Sequence, residues 1–357
     1  MPDFGKAWLI NMKIADLEPA IPVIQGGMGV GISLSSLAGN VAKNGGIGII
    51  STAQIGFKSP NWDANPYTEN LRAIQTEVKK AREIAGEEGI IGVNIMVATK
   101  NYGEYVKSAV KAGVDLIISG AGLPVELPAY VENTKVKIAP IVSSVKALLV
   151  ISKYWWKKFK RLPDLIVIEG PLAGGHLGFK REELDDIPAL HYDDVIKNII
   201  GETRKIEQEH QCSIPVVVAG GIYDVLDARK AMALGADGVQ VATRFVTTYE
   251  CDADIRYKEA YLNASKEDIV LVKSPVGMPG RAIENSFLLN KDQKKLPKCH
   301  HCLEHCDKAS IPYCITDALV HAAKGETDDA LLFCGANAYR SDKMEHVADI
   351  MKEFSKI

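Results

Sequence analysis

The chain has 357 residues, enough for one large α/β domain with an appendage or for two smaller domains. Its 47% hydrophobic and 24% charged residues are ordinary for a globular protein, and a net charge of −3 gives no electrostatic case for nucleic acid or an anionic membrane. No apolar run reaches membrane-span length, the first residues lack a signal-peptide pattern, and seven cysteines do not read as a secreted disulfide framework, so a cytoplasmic protein is expected.

Apolar runs and helical patterns then alternate. The first run, 22–27, ends in glycines and precedes a small-residue helix pattern at 33–44. A second run spans 46–51, and a wetter loop leads to a helical stretch over 67–83 with Leu71, Ile74 and Val78 on one face. Strand patterns follow at 90–96, 115–120, 136–143 and 165–169, separated by helical segments at 105–112 and 145–154. A long helix pattern at 193–208 carries Val195, Ile196, Ile199 and Ile200 on its apolar side. The seventh run, 214–221, again ends in glycines; a helix at 224–234 and an eighth run at 238–243 complete the series.

Runs of this kind, apolar throughout, read as strands buried on both faces. Eight of them alternating with helices predict a (β/α)8 TIM barrel over 1–290, with a cysteine-containing helical extension over 291–357 packed on it. A doubly wound open sheet is the alternative, although it seldom needs eight units.

Active sites of such barrels lie at the carboxyl ends of the strands. There the sixth run gives way to Glu169-Gly-Pro-Leu-Ala-Gly-Gly-His-Leu-Gly178. Gly174 and Gly175 would let backbone approach a ligand face, and His176 would be presented for proton transfer. A glycine-rich turn with a surface histidine is the plainer reading. After the last two strands, the amides of Gly220 and Gly221 and the hydroxyl of Thr243 are candidates to hold phosphate, against glycines that only close tight turns.

Five blocks in order, Pro22-Val-Ile-Gln-Gly-Gly-Met28, Gly92-Val-Asn-Ile95, Ala173-Gly-Gly-His176, Ala219-Gly-Gly-Ile222 and Val239-Gln-Val-Ala-Thr-Arg-Phe245, resemble the signatures of the nitronate monooxygenase (2-nitropropane dioxygenase) family. That family shares its FMN-binding barrel with flavin-dependent enoyl-acyl-carrier-protein reductases. The resemblance implies FMN as cofactor, with Gln25, Gly26, Gly27, Met28 and Asn94 along the isoalloxazine. It places Glu169, Gly174 and Gly175 near the ring or ribityl chain, Gly220, Gly221, Gln240 and Thr243 around the phosphate, and His176 facing substrate. Nitronate oxidisers often carry glutamine in place of Glu169 and glutamate in place of Leu172, whereas the enoyl reductases have glutamate at the first position; Arg244 also leans towards the reductases. Oxidation of alkyl nitronates by O2 to carbonyl compounds and nitrite is the expected function, and NAD(P)H-dependent enoyl-thioester reduction the alternative.

Further on, Cys299, Cys302, Cys306 and Cys314 form a C-x2-C-x3-C-x7-C spacing with three histidines close by. Such thiolates ligate an iron–sulfur cluster or zinc, or pack as small apolar groups. The run also resembles the cluster-binding segment of dienoyl reductases related to old yellow enzyme. Helices are predicted over 315–323 and 344–354. Trp155 and Trp156 are expected to cover a helix end or a subunit contact, Arg281 to make a structural salt link, and Asn285 to border the mouth of the site. Expected partners are a small-molecule substrate and, as an open alternative, a second copy of the chain; nucleic acid and membrane are not expected.

Overall fold

The computed structural model describes residues 12–290, 299–304, 306, 307, 309 and 311–357. Its strands are β1 (Val23–Gln25), β2 (Ile47–Ser51), β3 (Ile90–Met96), β4 (Leu116–Gly120), β5 (Lys137–Val142), β6 (Ile166–Glu169), β7 (Gly175–His176), β8 (Val216–Ala219), β9 (Gly238–Val241), β10 (Ile269–Lys273) and β11 (Pro279–Ile283). A closed parallel barrel runs β1-β2-β3-β4-β5-β6-β8-β9. Closure comes from β9 returning to β1, with Val23 opposite Val239 and Gln25 opposite Val241. The fold is the predicted (β/α)8 barrel, and the open sheet is excluded.

The apolar runs close into a barrel because both of their faces are buried. Ile24, Ile49, Ile118, Val167, Val217 and Ala219 point inward and fill the centre. Their neighbours Val23, Ile50, Ile117, Ile168 and Val218 point outward onto the helices. Met12 and Ile14 join the inner cluster, and Met12 lies against Gly238 at the amino end of β9.

The expected helices form, with shifted ends. The segment predicted at 145–154 runs on as Val145–Phe159, because Trp155 faces inward, fully buried, and donates its Nε1–H to the Pro124 carbonyl at 3.0 Å. Trp155 is therefore core, not a helix-end cover or subunit contact. Trp156 stays exposed and lies against His210.

A second sheet, β10-β11-β7, is antiparallel and was not expected, although Ile269-Val-Leu-Val272 in β10 is an apolar run like those of the barrel. In it His176 lies opposite Gly280 and Gly175 opposite Arg281. A two-residue strand whose partner lies about a hundred positions away has no local pattern to read.

Helices Ile315–Ala323 and Val347–Phe354 pack onto the barrel. Ile315 and Ala318 share a cluster with Val272 and Phe287, and Ile350, Met351 and Phe354 join the outer core with Leu37 and Val41. Among the described residues, no helix is long and apolar enough to cross a membrane.

Candidate active site

A cavity of about 620 Å³ opens at the carboxyl ends of the barrel strands. Gly26, Gly27 and Met28 line it after β1, Asn94 from β3 and Glu169 from the end of β6. Gly174, Gly175 and His176 line it from the loop and β7. Gly220 and Gly221 follow β8, Gln240 lies in β9, and Thr243 completes the wall. Residues predicted from far-apart blocks thus meet in one place.

Gln25 departs from expectation and does not line the cavity. Only one residue pair, Ile24 with Ile47, registers β1 on β2. The Gln25 amide continues that ladder, accepting from the Ile49 N–H and donating to the Ile49 carbonyl, each at 3.2 Å. Its side chain is fully buried in this structural task.

The glycine-rich loop is held by protein rather than opened wholly to a ligand. A Cβ on Gly174 would stand 2.6 Å from the Cys334 carbonyl carbon, so glycine is needed there for backbone to pass backbone. Gly175 is different: its φ of 71° favours glycine, and nothing lies within 4 Å of an added Cβ. Arg281 fixes the loop from below, donating to the carbonyls of Pro171, at 2.9 Å, and Ala173. It is a buried clamp on the loop backbone, not the expected salt link.

Two titratable groups face the cavity with strongly altered acidity. Burial pushes the Glu169 carboxyl up to about 7, and nothing cationic offsets it. The same desolvation pushes the His176 imidazole down to about 4. At neutral pH His176 is therefore uncharged and Glu169 is poised between its two forms. His176 Nε2 lies 2.7 Å from the Ser274 hydroxyl, and its ring meets Phe333 edge-on with centroids 5.0 Å apart.

At the other end, Gly220 and Gly221 take positive φ of 92° and 84°, which turn the chain from β8 towards the helix Val225–Ala233. The Oε1 of Gln240 is buried and has no hydrogen-bond partner within the protein. A buried acceptor left unpaired costs about 1–3 kcal/mol, so an orphan amide in a cavity wall marks a place for a ligand donor.

Other predicted residues lie elsewhere. Arg244 is buried behind the cavity, where Nη2 pairs with Glu345 at 3.0 Å and Glu353 at 2.7 Å, so it carries no weight in choosing a substrate. Asn285 caps the helix Ser286–Leu289 and donates to the carbonyls of Thr327 and Ala330, away from the mouth. Cys299, Cys302, Cys306 and Cys314 gather near one another, Cys302 lying within electrostatic range of the other three, but not at metal-ligand spacing. Among the described residues, the group at metal-ligand spacing is instead His300, Cys314 and Asp317. Cys302 accepts from the Thr316 hydroxyl at 3.0 Å, and both residues line the cavity.

Ser274 and Phe333 were not foreseen. Ser274 stands in an unremarkable Lys-Ser-Pro stretch with no local signal. Phe333 belongs to Leu331-Leu-Phe-Cys-Gly335, an apolar run ending in glycine like the barrel strands, and that ending was the available clue.

The sequence model of the nitronate monooxygenase family matches residues 11–356. A probable nitronate monooxygenase from Staphylococcus saprophyticus is 27% identical over 321 residues, covering 81% of each chain. Two solved structures share the fold. FabK from Thermotoga maritima has a TM-score of 0.70 at 23% identity, covering 95% of this chain and 92% of its own. The nitroalkane oxidase from Streptomyces ansochromogenes has a TM-score of 0.66 at 18% identity, covering 94% and 95%. With the family matched from one end of the described fold to the other, the chain belongs to the nitronate monooxygenase family of oxidoreductases.

Proposed function

We propose that this protein oxidises alkyl nitronates with O2, using FMN, to carbonyl compounds and nitrite. The observation that carries the reading is an uncharged imidazole facing a cavity whose only orphan buried acceptor among the described residues, Gln240 Oε1, awaits a donor. The residues present fit FMN. Gly220, Gly221 and Thr243 would hold its phosphate, Gln240 Oε1 would accept from an N–H or hydroxyl, and Gly26, Gly27, Met28 and Asn94 would line the ring. Bound FMN supplies the electron-accepting chemistry.

The chain's own residues then handle substrate and protons. Nε2 of His176 is taken up by the Ser274 hydroxyl, which leaves Nδ1 for substrate: as an acceptor when Nε2–H donates to Ser274, and as a donor when Nε2 accepts from it. As an acceptor Nδ1 would take the α-proton of a neutral nitroalkane; in the other tautomer Nδ1–H would donate to an oxygen of preformed nitronate. Glu169, raised to about 7, is protonated for part of the time at neutral pH and so puts less negative charge beside that anion than an ordinary carboxylate would.

One observation favours enoyl-thioester reduction: Glu169 matches the glutamate those reductases carry. A single assay separates the two. The purified protein given propyl-2-nitronate without nicotinamide is expected to consume O2 and release nitrite. Oxidation of NADH or NADPH only with a crotonyl thioester, and indifference to nitronate, would assign the reductase instead.

A further inference from the structure

The cysteine-rich segment brings a different set of donors together from the one its spacing suggested. One ligand atom each from His300, Cys314 and Asp317 lies within 4.8 Å of the others. Cys314 immediately precedes the helix Ile315–Ala323, and Asp317 occupies its first turn, so the helix start fixes two donors side by side. His300 comes from the preceding segment and is held against them. It is 8% exposed, its Nε2 meets Asp317 Oδ1 at 2.5 Å, and its ring stacks on Trp62 with centroids 4.6 Å apart. Trp62 is in turn anchored to Asn70 at 3.2 Å.

The second observation is the other ring nitrogen. Nδ1 of His300 is buried and has no hydrogen-bond partner. A desolvated imidazole nitrogen with nothing to bond is expensive; whichever ring nitrogen serves as ligand, a cation here either replaces the Nε2–Asp317 contact or fills the bare Nδ1 side of the ring. Zinc–ligand bonds of about 2.0–2.3 Å place neighbouring donors under about 4 Å apart, so small side-chain adjustments bring these three into range. A thiolate, an imidazole and a carboxylate suit zinc, whereas magnesium and calcium prefer oxygen alone. Cys302 is a source of a fourth ligand: its thiol is outside that three-residue group but within electrostatic range of Cys314.

We propose that His300, Cys314 and Asp317, with Cys302 completing the tetrahedron, bind one zinc-class divalent cation. Cys302, Ile315 and Thr316 all line the active-site cavity. The cation therefore fastens the C-terminal segment as a wall of that cavity, whichever substrate the cavity takes. Binding releases the Cys314 thiol proton, because the thiolate is the ligand. The role is structural: the cation lies behind the wall and takes no part in redox chemistry.

The test uses the full-length purified protein and Zn2+ alone. Elemental analysis is expected to find close to one zinc per chain, or the zinc-stripped protein to take up one equivalent in competition with a chromophoric chelator. Cys314→Ser and His300→Gln should weaken uptake by about tenfold or more, and Cys212→Ser, at an exposed cysteine, should not. In the unaltered protein, Zn2+ should also protect Cys302 and Cys314 from alkylation, a readout that survives if the variants fail to fold. Three results would overturn the proposal: no uptake with alkylation of both thiols unchanged by Zn2+, uptake unaltered in Cys314→Ser, or several irons with sulfide per chain, which marks a cluster on the four cysteines.

Discussion

At the scale of single residues, the cavity's chemistry rests on desolvation acting in opposite directions on two groups that line it. His176 keeps a pKa near 4 in the fold against 6.5 ordinarily, so the unfolded chain binds more protons between these values. Its burial therefore costs stability as pH falls from about 6.5 to 4. Glu169 is raised to about 7 from 4.5, so the folded chain holds the extra proton and loses stability as pH rises through that window. Glu169→Gln removes the second slope alone. Denaturant unfolding of the flavin-free proteins at pH 5 and pH 8 should show the unaltered chain losing on the order of 2 kcal/mol more than the variant over that rise. Equal losses would mean that Glu169 is not desolvated as described. The sequence marked both residues, because each follows a strand and sits beside glycines. It could not show Ser274 behind His176, nor that Gln25 is spent on the β1–β2 ladder, because both depend on contacts between distant segments.

At the scale of elements, legibility followed the length of the local pattern. The barrel strands were readable because burial on both faces writes continuous Val/Ile runs. Strand β10 does carry such a run, Ile269-Val-Leu-Val272, but β7 and β11 do not, and β7 exists only because β11 pairs with it. Arg244 shows the same limit: its place beside a motif suggested a substrate role, while its partners, Glu345 and Glu353, lie a hundred residues away. It ties the barrel to Glu345, in the segment just before the last helix, and to Glu353 within that helix. Its side chain is only 9% exposed, and removing one member of a buried ion group leaves charges unpaired. Arg244→Met should thus cost about 3 kcal/mol or more. Glu353→Gln, at a side chain 32% exposed, should cost under about 1 kcal/mol. Denaturation midpoints decide it, and an unchanged midpoint for Arg244→Met would remove the tie from the account.

At the scale of the whole molecule, a closed barrel supplies the floor of a cavity and the chain's last third supplies part of its roof. Leu303, Thr316, Leu319 and Phe333 all line the cavity opposite the barrel's glycine loops. That convergence was legible only for the floor, where position at a strand's carboxyl end is set by the fold itself. The roof depends on how a tail without strong periodicity folds back. The central claim is that this cavity holds FMN, and the measurement that tests it most directly is release of the chromophore from purified protein by denaturation, followed by chromatography against FMN and FAD. A yellow protein releasing close to one FMN per chain is expected; a colourless protein that takes up no added FMN, or one that releases FAD, would contradict the claim.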